Sequence, residues 1–318
     1  MNLSLRQIRY IQSVSDTGSI QSASRALRIS ASSILSAIEL AEFELGARIF
    51  HRKRAAGITL TPEGAKFLAA AGQLLASARD FERQVGILQD TVAPILRIGC
   101  FEPFGAIFMA EALRLLPQSE RVQEISLFEG DQPQLLEWLN RGMVDVVVTY
   151  DLGLSFGPGS LKLCRVPPHA LVHQDDPLAQ RAAISLKELA EKPIVLLDLP
   201  PTANYFLSLF DIVGVKPRVS FRSRSYETVR SAVAAGFGAA VLNMCPVGET
   251  SPDSPLLRRI PLSDDLPAPV LLIADLYGDL KPKSVSLLIE SFVNLFTRDY
   301  RESFAVVTPD KRQTLFDM

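Results

Sequence analysis

The segment from Gln7 to Gly64 constrains the fold of this chain most, because short amphipathic stretches alternate there with residues that start and break helices. The first stretch, at residues 3–15, carries apolar residues at the helical spacing typical of core packing. These residues are Leu5, Ile8, Ile11 and Val14. Ser19 and Ser30 are candidate caps of a second and a third helix. Three short helices followed by a basic hairpin predict a winged helix-turn-helix, a fold that places one helix in the DNA major groove.

This segment resembles the DNA-binding region of the LysR-type transcriptional regulators. The motifs follow the family's order and spacing, and they are Leu-Arg-Gln-Ile-Arg-Tyr, Gly-Ser-Ile, Ala-Ser-x-x-Leu, Leu45-Gly46-x-Arg48-Ile49-Phe50 and Leu60-Thr61-Pro62-x-Gly64. The resemblance implies a bacterial one-component regulator. It would have a winged helix-turn-helix in residues 1–60, a dimerisation helix in 61–90 and a two-lobed α/β effector domain similar to type 2 periplasmic binding proteins.

The start of the third helix and the basic hairpin are the candidate DNA contacts. The predicted contacts are Ser30, Ala31, Ser32, Ser33, Ser36, Arg52, Lys53 and Arg54. Serine hydroxyls can bond phosphates or base edges, and the three consecutive cations can contact phosphates. Relatives often carry Gln after the capping Ser and Arg near position 36, where this chain has Ala31 and Ser36. Phosphate contacts and DNA shape are therefore expected to carry more of the recognition, although the serines could also be plain helix-surface residues.

The charge distribution agrees with DNA binding through one end of the chain. Residues 1–60 hold eight basic and four acidic residues, whereas the whole chain has a formal net charge of −2. Residues 1–60, which we call the head, are thus positively charged, and the remainder of the chain is negatively charged. A positive head suits double-stranded DNA as its partner.

A heptad pattern follows Thr61-Pro62-Glu63, which has the features of a helix start. Apolar residues recur at alternating spacings of four and three, and they are Phe67, Ala71, Leu74, Ala78, Phe81, Val85 and Leu88. The pattern predicts a coiled-coil seam through Phe67, Leu74, Phe81, Val85 and Leu88. A helix that packs on its own domain is the alternative. A homodimer would present two heads to an interrupted inverted repeat. The resemblance further implies a homotetramer, and contact with RNA polymerase when the protein activates transcription.

After Pro94 the pattern changes to alternating strands and helices, which predicts an α/β domain with a largely parallel sheet. The predicted effector domain spans 94–300, with one lobe at 94–165 and 268–300 and a second at 166–267. Residues 301–318 are expected to form a C-terminal tail.

Ligands in such folds bind beyond the carboxyl ends of strands. The predicted effector contacts are Phe101, Glu102, Phe104, Thr149, Tyr150, Asp198, Thr202 and Ser225; Asn243 and Met244 also follow a strand. Relatives often place Ser or Thr after the first strand, where a carboxylate effector binds. Acids close to aromatic residues suggest instead an amine-bearing effector, unless those acids cap helices or pair with Arg222 and Arg224.

Other classes of protein have weaker support. The sequence has no G-x-S-x-G, P-loop, G-x-G-x-x-G after a strand or metal-ligand spacing, so no catalytic residue, metal or cofactor is predicted, although an enzyme on the same fold remains an alternative. A transport-type small-molecule-binding protein would not need the basic head. A thiol redox sensor would use Cys100 or Cys245, but Cys100, Cys164 and Cys245 lie far apart and suit buried structural thiols better. The polar N-terminus, and the lack of about 18 consecutive apolar residues, predict a cytoplasmic protein without a membrane partner.

Overall fold

The computed structural model describes residues 2–53, 57–88, 95–116, 124–157, 159–246, 254–278, 281–299 and 303–317. The chain divides into two compact units. One comprises Met1–Pro94 and Glu137–Asp145, and the other comprises Ile95–Leu136 and Val146–Met318.

The first unit begins with three helices, a hairpin and a long helix. These are α1 Leu5–Thr17, α2 Ile20–Leu27, α3 Ala31–Leu45, β1 Phe50–Lys53, β2 Gly57–Leu60 and α4 Pro62–Leu88. The predicted caps are confirmed, since the hydroxyls of Ser19 and Ser30 accept backbone N–H bonds at the starts of α2 and α3. Helix α1 lies two residues later than predicted. It begins after a capping box between Ser4 and Gln7 and ends at Gly18, whose φ of 69° is left-handed.

The core of the head lies where the apolar faces of α1, α2 and α3 meet. Its buried members are Ile11, Val14, Ala23, Ile34, Ala37, Ile38, Ala41, Ile49, Phe50 and Leu68. The predicted core positions of α1 are confirmed for Ile8, Ile11 and Val14, whereas Leu5, the first residue of the helix, is 38% exposed.

The carboxylate of Glu42 connects α3 to β1, because it accepts bonds from the N–H groups of Ile49 (2.9 Å) and Phe50 (3.4 Å). Gly64 lets the start of α4 approach the same chain segment. A Cβ at this position would lie 2.1 Å from the carbonyl oxygen of Ile49. Only a residue without a Cβ therefore fits at position 64, between α4 and Ile49.

Helix α4 starts as predicted, with the Thr61 hydroxyl accepting a bond from the N–H of Gly64 at 2.8 Å. Its first turns pack on the head. Ala71 and Leu75 are buried against Ile8, and Phe67 is partly buried beside them. Further along the helix, Leu74 and Phe81 are 48% and 67% exposed. The side chains of Val85 and Leu88 lie outside the described residues.

The second unit holds the remaining strands and helices. In chain order these are β3 Ile95–Phe101, α5 Glu102–Phe104, α6 Ala110–Arg114, β4 Glu124–Gly130, α7 Gln132–Asn140 (whose end belongs to the first unit), β5 Val146–Tyr150, β6 Leu161–Arg165, β7 His169–His173, α8 Leu186–Ala190, β8 Pro193–Leu197, α9 Thr202–Ile212, β9 Arg218–Ser223, α10 Tyr226–Ala234, β10 Ala240–Leu242, β11 Leu257–Pro261, β12 Val270–Asp275 and α11 Lys283–Asn294. A π-helical turn, Gly105–Met109, joins α5 to α6.

The sheets of this unit are mixed, whereas the sequence predicts a largely parallel arrangement. The first lobe has the strand order β4-β3-β5-β12-β6, in which β3 runs parallel to β4 and β5, and β12 runs antiparallel to β5 and β6. The second lobe has an antiparallel sheet, β10-β7-β11, and a parallel pair, β8-β9. Strand β12 returns the chain to the first lobe after the strands of the second lobe are complete.

Residues of the predicted C-terminal tail pack on the second unit. Phe304 is fully buried, and its carbonyl accepts a bond from the N–H of Cys245 at 3.1 Å. Among the described helices, none combines the length and the apolar character that a membrane span requires.

Candidate nucleic-acid interface and effector cleft

The start of α3 is a cluster of exposed hydroxyl groups. The Ser30 Oγ accepts a bond from the N–H of Ser33 at 3.2 Å, and it lies 2.9 Å and 2.8 Å from the hydroxyls of Ser32 and Ser33. Ser36 is exposed one turn later, and Ala31 is half-buried. The first turn contains no acidic residue. The helix terminus therefore presents hydroxyls and the positive end of its dipole, a combination that suits phosphate oxygens.

Two arginines flank this helix start and were not among the predicted contacts. Arg25 and Arg28 are both exposed, one in the last turn of α2 and one in the connection to α3. Arg28 has a left-handed φ of 55°, which closes α2 and turns the chain toward Ser30. Their position next to a capping serine is a sequence signal that could have identified them as phosphate contacts.

The predicted basic hairpin is an antiparallel pair in which His51 lies opposite Thr59 and Arg52 opposite Ile58. The N–H of Ile58 donates to the carbonyl of Gly18 at 3.2 Å, which fixes the hairpin to the connection between α1 and α2. The backbones of Arg52 and Lys53 lie on β1, and their side chains are outside the described part of the chain, as is all of Arg54.

In the second unit, four of the predicted effector contacts line one cavity. These are Phe101, Phe104, Tyr150 and Thr202. The other residues that line it are Pro103, Ile107, Leu197, Phe206, Tyr226, Leu242, Asn243 and Met244. The cavity has a volume of about 20 Å³. Its rings pack edge to face, with ring centroids 5.0 Å apart for Phe104 and Tyr150 and 5.3 Å apart for Phe101 and Phe104.

The other four predicted effector contacts are not in this lining. Asp198 pairs with Arg222 at 3.5 Å, which is the alternative that the sequence left open for this acid. Ser225 caps α10. Thr149 is fully buried, and as the neighbour of Tyr150 on β5 it faces the opposite side of the sheet. Glu102 opens α5, and its charge acts together with burial, the larger cause, to raise the pKa of Glu129.

Two side-chain bonds join the lobes near the cavity. The Gln132 amide donates to the Thr202 hydroxyl at 3.1 Å, and Arg224 pairs with Asp131 at 3.0 Å. Asp131 and Gln132 belong to the first lobe, and Thr202 and Arg224 to the second. Both bonds therefore connect the first lobe directly to the second.

A buried polar network fixes the connections between the lobes. The Asn243 Nδ2 donates to the Val166 carbonyl (2.8 Å) and the Tyr205 hydroxyl (3.2 Å), and that hydroxyl donates to the Pro267 carbonyl (2.9 Å). Val166 and Pro267 lie on the two chain connections between the lobes. Asn243 Oδ1 has no hydrogen-bond partner among the described residues, although Asn243 is only 4% exposed.

His169 extends this network in its neutral form. It is fully buried, and burial, together with the charge of Arg259, holds the pKa of His169 well below its usual range. Its Nδ1 therefore donates to the Asn243 carbonyl at 3.0 Å, and its Nε2 accepts from Arg259 at 2.6 Å. Arg259 also donates to the Tyr226 hydroxyl at 2.9 Å. The cavity wall and the inter-lobe connections are thereby part of one network.

The three cysteines show no sign of reactive thiols. All are free and buried, and burial raises the pKa of the thiols of Cys100 and Cys164. The thiol of Cys245 lies 2.8 Å from the carbonyl of Ser303, to which it donates. A thiol with a raised pKa is a poor nucleophile at neutral pH. Among the described residues, no group of three or more His, Cys, Asp or Glu side chains could hold a metal ion.

Comparison with known protein families gives a match in each of the two units. Residues 5–65 match the model of a bacterial regulatory helix-turn-helix protein of the lysR family, and residues 89–294 match the LysR substrate binding domain. A solved structure from Pseudomonas aeruginosa, described as a putative LysR family transcriptional regulator, is 29% identical. The similarity covers 93% of this chain and 100% of that one, with a TM-score of 0.56.

Curated relatives are similar over most of the chain. The uncharacterized regulator YvbU of Bacillus subtilis is 25% identical, over 81% of this chain and 88% of its own. The dual regulator OxyR of Escherichia coli is 25% identical, over 76% and 79%. Both relatives are named as transcriptional regulators and not as enzymes.

Proposed function

The chain belongs to the LysR family of bacterial transcriptional regulators, and we propose that it binds DNA through the start of α3 and the β1–β2 hairpin under the control of a small organic effector. The exposed hydroxyl cluster at Ser30, Ser32 and Ser33 is the observation that carries the DNA-binding part of the proposal. Ala31 and Ser36 complete the proposed helix contacts, and Arg52, Lys53 and Arg54 supply charge from the hairpin. We also propose a cytoplasmic location, because a DNA-binding regulator acts in the compartment that holds its DNA.

Regulators of this family form oligomers, and α4 has a surface suited to that role. Leu74 and Phe81 are large apolar side chains that stay exposed on the described part of the helix, one heptad apart. Exposed apolar residues at this spacing favour a helix from a second copy as their partner. We propose a homodimer through this seam, assembled into a homotetramer, which binds an interrupted inverted repeat and contacts RNA polymerase when it activates.

The effector is proposed to bind in the cavity between the lobes. The cavity has walls from both lobes, and the bonds Gln132–Thr202 and Asp131–Arg224 join the two lobes. A ligand that binds one separation of the lobes better than another shifts the population toward it. If the two populations differ in DNA affinity, ligand binding and DNA binding are coupled, and the coupling is reciprocal.

A substitution at Ser33 tests the DNA-binding part, because it separates helix stability from phosphate contact. Ser33→Glu would complete a capping box with Ser30 and place an acid at the positive end of the α3 dipole. We expect the free energy of unfolding to stay the same or to rise by about 0.5 kcal/mol. The same charge should repel phosphates, so affinity for a duplex selected from a random library should fall about tenfold, or about 1.4 kcal/mol.

Thr228→Glu is the matched control. Thr228 occupies the same position in α10, where its N–H donates to the capping Ser225 at 3.3 Å. The control adds the same charge to the same motif in the second unit, so DNA affinity in fluorescence anisotropy should not change. Equal affinity of wild-type and Ser33→Glu chains for the selected duplex would show that α3 does not face DNA.

A further inference from the structure

We propose that the effector that binds in the cavity between the lobes is an uncharged molecule with an apolar, ring-sized body and a hydrogen-bond donor that binds Asn243 Oδ1. The proposal rests on the proposed function, because it takes the cavity between the lobes to be the effector site.

The lining of the cavity argues against a charged ligand. Its twelve described residues are aromatic, aliphatic, proline, methionine, threonine or asparagine, and none is acidic or basic. A charged group buried among such side chains would lose its hydration without gaining a counter-ion, which costs far more than burying a neutral polar group. The acids expected near an amine lie elsewhere, since Asp198 pairs with Arg222 and Glu102 is not in the lining.

Asn243 specifies the polar group that the ligand must carry. Its Nδ2 faces the carbonyl of Val166, which can only accept, so the amide orientation is fixed and Oδ1 is the atom without a partner. A buried acceptor left unpaired destabilises the folded state, because it has lost its hydrogen bond to water and gained none in return. An O–H or N–H group on the ligand would remove that cost, whereas an ether or carbonyl oxygen would not.

Gln132 provides a second acceptor of the same kind. It is fully buried, its amide nitrogen donates to the Thr202 hydroxyl, and its Oε1 has no partner among the described residues. Asn243 lines the cavity, and Gln132 bonds to Thr202, which lines it. Two buried oxygens without partners, one in the lining and one directly behind it, favour a ligand with donors over a ligand with acceptors.

The size of the cavity connects this recognition to lobe movement. A volume of about 20 Å³ holds about one water molecule, so a ring fits only when the lobes move apart. The rings of Phe104 in the first lobe and Phe206 in the second would then face the ligand from opposite walls. Entry would also stretch the Gln132–Thr202 bond, so the ligand would favour a wider cleft and compete with that bond.

Four probes that share a phenyl ring and differ in the polar group attached to it test the ligand class on the full chain. They are benzyl alcohol, benzyl methyl ether, benzylamine and benzoate, and their dissociation constants are measured by ligand-observed NMR titration. We expect benzyl alcohol to bind about tenfold more tightly than the ether, because only the alcohol supplies a donor. The cation and the anion should each bind at least about tenfold more weakly than the alcohol.

Two variants locate the preference at Asn243. Asn243→Leu removes the acceptor and should lower the affinity for benzyl alcohol to that for the ether. Tyr205→Phe is the matched control, because it removes the hydroxyl that accepts from Nδ2 and leaves Oδ1 in place, so the alcohol-to-ether ratio should persist. If Asn243→Leu does not fold, the wild-type series still tests the ligand class, and Phe206→Trp supplies a fluorophore at the cavity wall that bound alcohol should quench.

Several outcomes would overturn the proposal: tightest binding by benzoate or benzylamine, equal affinity for alcohol and ether, or no binding by any probe up to its solubility limit. None of these would remove the proposed function, which fails separately if Ser33→Glu leaves DNA binding unchanged. A charged probe that binds the cleft and alters DNA affinity would show that the site is correct and the ligand class is wrong.

Discussion

The neutral His169 makes the second unit sensitive to acid, and His169→Gln should remove that sensitivity. The imidazole is fully buried between the Asn243 carbonyl and Arg259, with its pKa held well below the usual range. The unfolded chain therefore takes up a proton more readily than the folded chain does. The neutral imidazole therefore stabilises the fold at pH values above the pKa of a histidine in the unfolded chain, about 6.5. This contribution is lost as the pH falls below that value. Between pH 7.5 and 5.5 the wild-type chain should lose about 1.4 kcal/mol through this group.

Urea unfolding of the full chain at these two pH values, followed by circular dichroism, measures the difference. Carboxylates also titrate in this range, but they are common to wild type and variant and cancel in the comparison. His173→Gln is the control, since His173 is half-buried at the other end of β7 and lies outside the network. An equal loss of stability in wild type and His169→Gln would refute the assignment of a neutral imidazole to this network.

Two further predictions concern the first unit. Gly64→Ala should destabilise the head by about 1–3 kcal/mol, because the new Cβ would lie 2.1 Å from the Ile49 carbonyl; Glu63→Ala on the exposed side of the same turn is the control, and an unchanged thermal midpoint for Gly64→Ala would contradict the close approach. The double substitution Leu74→Glu and Phe81→Glu should convert dimers into monomers in analytical ultracentrifugation without lowering the free energy of unfolding of the head, because both side chains are exposed within one chain. The same mass distribution as wild type would exclude this seam.

The head could be predicted closely from the sequence because its signals are local. Ser19 and Ser30 act as caps through side-chain bonds to residues three positions away, and the hairpin follows from its own residues. The division of α4 into a part that packs on the head and a part that stays exposed could not be predicted in the same way. A heptad pattern shows that Phe67 and Leu74 are both apolar, but it does not show that the first packs beside α1 while the second stays exposed.

The cleft was predicted only in part. The rule that ligands bind beyond the carboxyl ends of strands, here called the strand-end rule, selected Phe101, Tyr150 and Thr202 correctly as residues of the cavity, because the ends of parallel strands converge. It also selected Thr149, although alternation along β5 turns that side chain to the other face. Tyr226 was missed although the neighbouring Ser225 was selected, because Ser225 caps α10 and the next side chain along the helix is the one that lines the cavity.

Asn243 satisfied the strand-end rule, yet its role depends on contacts with Val166 and Tyr205. These residues are 77 and 38 positions away in the chain. No local pattern reports such contacts. The orphaned oxygen, and with it the expected class of ligand, could be recognised only once the lobes were in place.

We propose that this chain finds particular DNA sequences through the start of α3. Chromatin immunoprecipitation with sequencing in the native host, with wild-type chain and Ser33→Glu expressed at equal levels, tests this role of the helix. We expect wild-type enrichment at a limited set of promoters that share an interrupted inverted repeat, and loss of that enrichment in the variant. Retention of the same sites by Ser33→Glu, or wild-type enrichment without a shared repeat, would contradict it.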